Sequence, residues 1–374
     1  MRILIVQRSL SPPGGGNAVA AWMVHALSAH HDVGTLTTGE WSVARTNAFY
    51  GTSIDATAVR RHVISAPWRW LSGLRDDRMT RLRMASVLRE ARELASQYDL
   101  MITADNFAAF CKPGIQYVHF PAVIQPEPAR LAPLVKVYFR LCDWLTGLPW
   151  RDAARNLTLV NSQWTAERLS RLGEISTPIV VYPPVVDPGP GLPWADREVR
   201  FLCIGRFHPS KRIETSIAIV RAVRDTAIPQ ARLSIVGSVV DASYGVRIRD
   251  LAAREGSWIE LREDLPRHEL NLLMGRSRYG IQAMEGEHFG MATAEMTRAG
   301  CLVFAHRSGG APEVLNHDAS LLWTTAADAT ARISAIASGN PAALSARLRE
   351  HGRTFSPERF VEEMHRIVEH AQVS

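Results

Sequence analysis

Short apolar runs alternate with amphipathic stretches along most of the chain. The first run, RILIVQ, is followed by a loop rich in Pro and Gly and, from about residue 18, by apolar positions at helical spacing. Strands that alternate with helices of ten to fifteen residues are typical of parallel sheets with helices on both faces. The same pattern predicts further strands at 99–104, 115–120, 157–162 and 178–182, and helices near 79–96, 131–147 and 163–172.

A Pro-rich segment interrupts this alternation. Residues 183–198, PPVVDPGPGLPWADRE, contain five Pro and two Gly, which predicts a linker. The alternation then restarts with the strand VRFLCIG and continues to the strand CLVFAH. We therefore expect an α/β fold of two Rossmann-like, doubly wound domains facing a cleft. The expected domains are residues 1–190 and 191–355, with 356–374 as a helix that returns to the first domain.

Composition narrows the class of protein. The chain has 374 residues, of which 46% are hydrophobic and 21% charged, which excludes disordered and fibrous classes. No apolar run approaches the roughly 18 residues of a membrane span, and the N-terminus has no signal-peptide pattern. Four Cys lie far apart without metal-ligand spacing. They indicate reduced thiols of a cytoplasmic protein without a metal site.

The net charge of +6 is concentrated in the first half of the chain. Residues 60–92 hold nine Arg against three acids, so they form either a solvated helical face or a surface for an anionic partner such as a membrane. The run lacks interleaved stacking aromatics, which argues against nucleic acid. Helical spacing from Met79 predicts that Leu82, Ala85, Val87, Leu88 and Ala91 pack on the domain, and that Arg75, Arg78, Arg81, Arg89 and Arg92 face outward.

Candidate chemistry lies where predicted strands end, because ligands of doubly wound sheets bind beyond the carboxyl ends of the strands. After the first strand, GGGN opens a helix, and the backbone around Gly15 and Gly16 suits a diphosphate or forms a structural tight turn. After VRFLCIG, the segment RFHPSKR places Arg206 and Lys211 within six residues. They suit two phosphates, or they are surface cations.

The segment EGEHFGMATAE, 285–295, carries acids on both sides of a glycine turn. Glu287 is expected in a loop and Glu295 inside the following helix, whose first N–H groups can hold an anion. Glu295, in the helix, would then accept from ribose hydroxyls, and Glu287, in the loop, would accept from hydroxyls of a second group beyond the phosphates. This spacing fits a nucleoside-diphosphate sugar. The alternative is that the acids only complement the helix dipole.

These segments resemble a known family. EHFGMATAE resembles the E-x7-E motif of retaining glycosyltransferases with the GT-B fold, family 4, and GRFHPSK resembles the phosphate-binding Arg and Lys of that family. SGGAPEVL, 308–315, resembles its loop ahead of a short helix. The resemblance spans nearly the whole chain. The segments most similar to mannosyltransferases that extend the lipid-linked core of N-glycosylation are QYVHFP, VNSQWT, VVYPPVVD, EHFG and AHRSGG.

The resemblance implies roles for individual residues. Arg206 and Lys211 would hold the donor diphosphate, Glu287 the transferred sugar and Glu295 the ribose. His119 would stand near the anomeric carbon. The residues implied to contact the donor besides these are Gly15, Gly16, His288, Phe289, Gly290 and Met291.

The implied reaction is metal-independent transfer of mannose from GDP-mannose to a glycan or lipid-linked acceptor. The first domain would bind the acceptor and the second the nucleotide sugar. The N-glycosylation enzymes begin with a membrane anchor and this sequence does not, so we expect a cytoplasmic enzyme that is at most peripheral on the inner face of the membrane. A UDP-sugar-dependent transferase, a GT-B nucleotide-sugar epimerase and a non-enzymatic nucleotide-sugar sensor remain alternatives.

Overall fold

A computed structural model describes residues 1–72, 79–121, 133–173, 175, 177–189 and 191–373. The chain divides into two compact units, each with its own parallel sheet. The first comprises Met1–Pro184 with Pro357–Ser374, and the second comprises Val185–Ser356. None of the described helices is both long and apolar enough to cross a bilayer.

The first unit contains a seven-stranded sheet in the order β3-β2-β1-β4-β5-β6-β7, and all its neighbouring strands pair in parallel. Its strands are β1 Arg2–Val6, β2 Asp32–Thr37, β3 Val59–Val63, β4 Leu100–Thr103, β5 Ile115–Val118, β6 Leu157–Val160 and β7 Ile179–Val180. Its helices are α1 Gly15–Ser28, α2 Val43–Tyr50, α3 Ala66–Ser72, α4 Thr80–Leu94, α5 Pro133–Thr146, α6 Gln163–Leu172 and the C-terminal α14 Pro357–Val373, which packs against α1.

The second unit contains a six-stranded parallel sheet in the order β10-β9-β8-β11-β12-β13. Its strands are β8 Glu198–Ile204, β9 Arg232–Gly237, β10 Ile259–Glu263, β11 Ser277–Gln282, β12 Leu302–His306 and β13 Leu322–Trp323. Its helices are α7 Ile213–Thr226, α8 Ala242–Glu255, α9 Arg267–Arg276, α10 Met291–Arg298, α11 Ala311–Val314, α12 Ala326–Ala337 and α13 Pro341–His351.

Both sheets confirm the predicted α/β class of doubly wound domains. In each sheet the strand order reverses once, between β1 and β4 in the first unit and between β8 and β11 in the second. The chain leaves these neighbouring strands in opposite directions across the sheet. A crevice therefore opens at their carboxyl ends, which is where doubly wound folds bind ligands.

One predicted orientation is wrong. Leu88 and Ala91 are buried as expected, but Arg81 does not face outward. Its side chain is 10% exposed and its guanidinium pairs with Asp143 of α5 at 3.0 Å. It also stacks over Phe139, 4.2 Å from the ring centroid. The reason is that α5 packs along the side of α4 that helical periodicity had assigned to solvent. Arg75 and Arg78 lie outside the described residues.

Candidate functional site

The carboxyl edge of the second sheet gathers the predicted phosphate-binding and acidic residues at the reversal between β8 and β11. Arg206 follows β8, and Lys211 ends a short 3-10 turn at Pro209–Lys211. Glu287 lies in the loop between β11 and α10. Because β8 and β11 are hydrogen-bonded neighbours, the loops that follow them meet.

Lys211 and Glu287 form an ion pair through Nζ and Oε2. Their side chains are 18% and 22% exposed, so the pair is reachable from solvent but partly desolvated. The stem of Lys211 lies over Gly205, where an added Cβ would come within 3.4 Å of its Cδ. A ligand that uses both groups would therefore meet an ammonium and a carboxylate already held together.

The backbone of Glu287 is held by a second loop, the one between β12 and α11. The Gly310 N–H donates to the Glu287 carbonyl at 2.7 Å, and the Gly286 N–H donates to Ser308 Oγ at 2.8 Å. Gly309 has a φ of 98°, and a Cβ there would lie 2.2 Å from the Glu287 carbonyl oxygen. The site thus needs a glycine at 309, both for its left-handed backbone and for space.

Gly309→Ala is expected to lower the transfer activity implied by the resemblance at least tenfold, because the new methyl must displace the backbone of Glu287. The matched control is Gly173→Ala, since Gly173 also has a positive φ, 75°, but an added Cβ there meets nothing within 4 Å. Both variants carry backbone strain of about 1–3 kcal/mol. Steady-state kinetics with melting temperatures separate the two effects. Equal loss of transfer in both variants would contradict this role of Gly309.

The N-terminus of α10 adds backbone donors to the site. Gly290, with a φ of 98°, precedes the helix and offers no side-chain cap, so the first-turn N–H groups of α10 lack the usual oxygen partner. Phe289 is 2% exposed and packs edge-on against Phe355, so this residue presents backbone and not its ring. Burial lowers the pKa of His288, and Lys211 lowers it further, against the opposing effect of Glu287.

Glu295 is paired with a residue that the sequence did not indicate. Its Oε1 lies 2.7 Å from the Arg267 guanidinium, and the two side chains are 15% and 22% exposed. Arg267 is the first residue of α9, and no motif there distinguishes it from a surface cation. The ion pair fixes the direction of the Glu295 carboxylate.

Arg206 differs from Lys211 in having no fixed partner. Its side chain is exposed, and within the described part of the chain it makes neither an ion pair nor a hydrogen bond. Arg212, next to Lys211, pairs instead with Glu285 on the exposed side of the same loops. Among Arg206, Lys211, Arg212 and Arg267, Arg206 is therefore the one whose charge is least compensated.

The first unit brings together Gly16 and His119. A Cβ added to Gly16 would lie 3.3 Å from His119 Nε2, so the imidazole packs against the first turn of α1. These residues follow β1 and β5, which flank β4, so both lie at the carboxyl edge of the first sheet. The start of α1 has no side-chain cap, and its first residue, Gly15, is exposed.

Hydrogen bonds hold His119 in place on several sides. The Asn106 Oδ1 accepts from its backbone N–H at 2.8 Å, and Asn161 Nδ2 donates to its carbonyl at 3.1 Å. Its Nε2 lies 2.9 Å from the Ala104 carbonyl. A carbonyl can only accept, so this contact places a proton on Nε2.

Within the described residues, no group of three or more His, Cys, Asp and Glu side chains is arranged to hold a metal ion. The metal-independent reaction stays a prediction.

Parts of the sequence are similar to known glycosyltransferases. Residues 190–355 match the family model of "Glycosyl transferases group 1". The Xenopus tropicalis GDP-Man:Man(3)GlcNAc(2)-PP-Dol alpha-1,2-mannosyltransferase is 25% identical over 244 residues, which are 57% of this chain and 50% of the relative. The Eremothecium gossypii protein of the same name is 27% identical over 225 residues, 53% of this chain and 38% of the relative. The chain thus spans half or less of the length of these relatives.

Solved structures extend the similarity to both units. Sucrose-phosphate synthase from Thermosynechococcus elongatus has a TM-score of 0.71 at 17% identity, covering 100% of this chain and 99% of that one. Anabaena HepE in complex with UDP-glucose has a TM-score of 0.68 at 15% identity, covering 99% of each chain. At sequence identities this low, the structural similarity establishes a shared fold and nothing more. The second unit is thus similar to the group 1 glycosyltransferases over residues 190–355, and the chain shares the GT-B fold of these solved structures.

Proposed function

We propose that the protein is a retaining glycosyltransferase that moves mannose from GDP-mannose to a hydroxyl of a glycan or lipid-linked saccharide. The observation that carries this proposal is the Lys211–Glu287 pair beside the uncapped start of α10, at the strand-order reversal of a group 1 glycosyltransferase sheet. GDP-mannose is favoured because the curated relatives are named for that donor.

In this proposal the donor diphosphate binds Arg206, Lys211 and the first N–H groups of α10. Arg206 has an uncompensated charge, and Lys211 is preorganised by its contacts with Gly205 and Glu287. Cations and helix N-termini aimed at a leaving diphosphate stabilise the charge that develops in the transition state. Charge-assisted hydrogen bonds contribute about 1.5–3 kcal/mol each.

The two acids take different parts of the donor. Glu295, oriented by Arg267, accepts from the ribose hydroxyls, and Glu287, held by the loop at 308–310, accepts from hydroxyls of the transferred sugar. Backbone from His288 to Met291 lies between them and contacts the donor.

The first unit supplies the remaining groups of the proposal. By the resemblance, Gly15 and Gly16 at the start of α1 would contact the diphosphate, and His119 would act near the anomeric carbon. Since Nε2 donates its proton to the Ala104 carbonyl, His119 acts through its other ring nitrogen, Nδ1, or through its position alone. This unit is assigned the acceptor, and the second unit the nucleotide sugar.

The proposed chemistry is a same-face displacement. The bond between the anomeric carbon and the diphosphate oxygen breaks, a bond from the acceptor oxygen to that carbon forms, and the acceptor proton passes to the leaving phosphate. A double displacement would need a free carboxylate nucleophile. Glu287, the acid proposed to contact the sugar, is engaged by Lys211. The reaction is proposed to proceed without a metal ion.

A thermal-shift experiment tests the donor. GDP at 100 times its dissociation constant would stabilise the protein by about 2.7 kcal/mol, so we expect a rise of several degrees in melting temperature, larger than with UDP. Glu295→Gln should reduce the shift caused by GDP, and Glu287→Gln should leave it nearly unchanged while lowering mannose transfer. A larger shift with UDP would replace the GDP-mannose assignment by a UDP-sugar. Equal losses of the GDP shift in both variants would contradict the separate roles of the acids.

A further inference from the structure

Helix α5 of the first unit is apolar on two faces. Its inner face places Cys142 and Leu145 against Ala85 of α4. Tyr138 on the same face accepts a hydrogen bond from the Leu82 N–H at 3.1 Å. An apolar stripe on a helix is normally covered, and this inner contact leaves other apolar side chains of α5 uncovered.

The outer face carries a continuous apolar stripe. Leu134, Val137, Leu141 and Trp144 are spaced by three and four residues, which places them in one row along the helix. They are 84%, 62%, 47% and 75% exposed. Single exposed apolar residues are common, but a row of four that ends in a Trp marks an interaction surface.

Two cations border the stripe. Lys136 and Arg140 are four residues apart along one edge of it, and in the described part of the chain neither makes an ion pair. The one acid of α5, Asp143, turns inward to Arg81 and to the Trp150 N–H. The outer face of α5 is therefore apolar and positively charged at once.

We propose that α5 lies in the interface of an anionic lipid bilayer, with the stripe inserted among the lipids and Lys136 and Arg140 at the headgroups. An interfacial helix combines a buried apolar row with basic residues at its border, and Trp favours the depth of the headgroups. This inference rests on the proposed function, because it explains how the enzyme would reach a lipid-linked acceptor. His119 directly follows β5, and α5 lies in the crossover that connects β5 to β6.

The charge on α5 favours a bilayer over a second copy of the chain. A symmetric dimer through this stripe would bring Lys136 and Arg140 of one copy close to the like charges of the other, which opposes association. An anionic membrane neutralises them instead. This placement also differs from the membrane surface expected at residues 60–92, since Arg81 is nearly buried in an ion pair with Asp143 and Arg89 pairs with Glu93.

Sedimentation with vesicles tests the proposal without donor or acceptor present. Vesicles of equal parts phosphatidylglycerol and phosphatidylcholine are compared with vesicles of phosphatidylcholine alone, at low and raised salt. The wild type should bind the anionic vesicles in a salt-sensitive way. Leu141→Gln with Trp144→Gln should weaken this binding at least tenfold. Lys136→Gln with Arg140→Gln should weaken it about thirtyfold at low salt and remove the salt dependence.

The matched control is Val246→Gln with Leu272→Gln, which removes two comparably exposed apolar side chains, 53% and 68%, from the second unit. This control should bind vesicles like the wild type. Unchanged binding by the stripe variants, or no binding of the wild type at low salt, would overturn the proposal. So would a wild-type dimer, seen by sedimentation equilibrium, that the stripe variants dissociate.

The GDP-induced thermal shift separates this inference from the proposed function. All three variant pairs alter side chains that the proposed function does not assign to the nucleotide, so each should keep the wild-type shift. Absent vesicle binding with a normal GDP shift would reject only the membrane surface. Vesicle binding without a GDP shift would reject only the donor.

Discussion

Replacing Lys211 by Ala should lower kcat/KM for sugar transfer about 100-fold. The ammonium is proposed to contact the donor diphosphate, and such a contact contributes about 1.5–3 kcal/mol, or roughly 10- to 150-fold. The substitution also leaves Glu287 without its partner beside an anionic ligand, which adds repulsion. The melting temperature should change little, because the pair is partly exposed and its loss creates no cavity in the core.

The adjacent residue provides the control for this prediction. Arg212 pairs with Glu285 as Lys211 pairs with Glu287, but on a more exposed part of the same loops, with side chains 40% and 57% exposed. Arg212→Ala should therefore change kcat/KM by no more than about threefold, as expected of a surface pair. Full activity of Lys211→Ala, or an equal loss in both variants, would remove Lys211 from the phosphate site.

Replacing Arg81 by Glu should lower the melting temperature by about 10 °C. The substitution breaks a nearly buried ion pair with Asp143 and places two carboxylates together. It also removes the guanidinium that stacks on Phe139 and Trp150. Breaking a buried pair on one side costs about 3–5 kcal/mol. For a unit of this size each kcal/mol shifts the melting temperature by about 2–4 °C.

Arg89→Glu is the matched control on the same helix. Arg89 pairs with Glu93 at 3.4 Å, with side chains 40% and 60% exposed, so its loss should cost about 0.5 kcal/mol or less. Thermal unfolding followed by circular dichroism compares the two variants. Equal shifts would mean that Arg81 is as solvated as Arg89 in solution. The expected difference makes Arg81 unsuitable for charge reversal in a membrane-binding experiment.

The hydrophobic pattern predicted the central strands and the β7 edge of the first sheet, but it missed the β2–β3 edge. β1 and β4 are short apolar runs that are buried almost throughout, so the run of apolar residues alone predicts them. β2 and β3 were not predicted. β2 buries Thr35 and Thr37, which look polar in sequence, and β3 is an edge strand, VRRHV, that leaves both Arg exposed. Pairing with a neighbouring strand, not local hydrophobicity, stabilises these two segments.

The loops of the candidate site could be predicted because the residues that characterise each loop lie close together in the sequence. The glycines and acids of EGEHFGMATAE and the cations of RFHPSKR stand within a few residues of a strand end, and the sheet edge follows from the alternation of elements. The short helix α11 occurs after the glycines of SGGAPEVL, where the resemblance implied one.

What the sequence by itself determined is the class of fold and the segments that form the candidate site at the carboxyl edge of the second sheet. Tertiary structure alone decided which charges meet. Lys211 and Glu287 are 76 residues apart and Arg267 and Glu295 are 28 apart, so no local pattern pairs them. In the same way, periodicity showed that α4 buries one face, but only the packing of α5 placed Arg81 inside and left the apolar stripe of α5 outside. A periodic pattern records that a face is apolar or charged, and the identity of the element that covers it depends on contacts between segments distant in the chain.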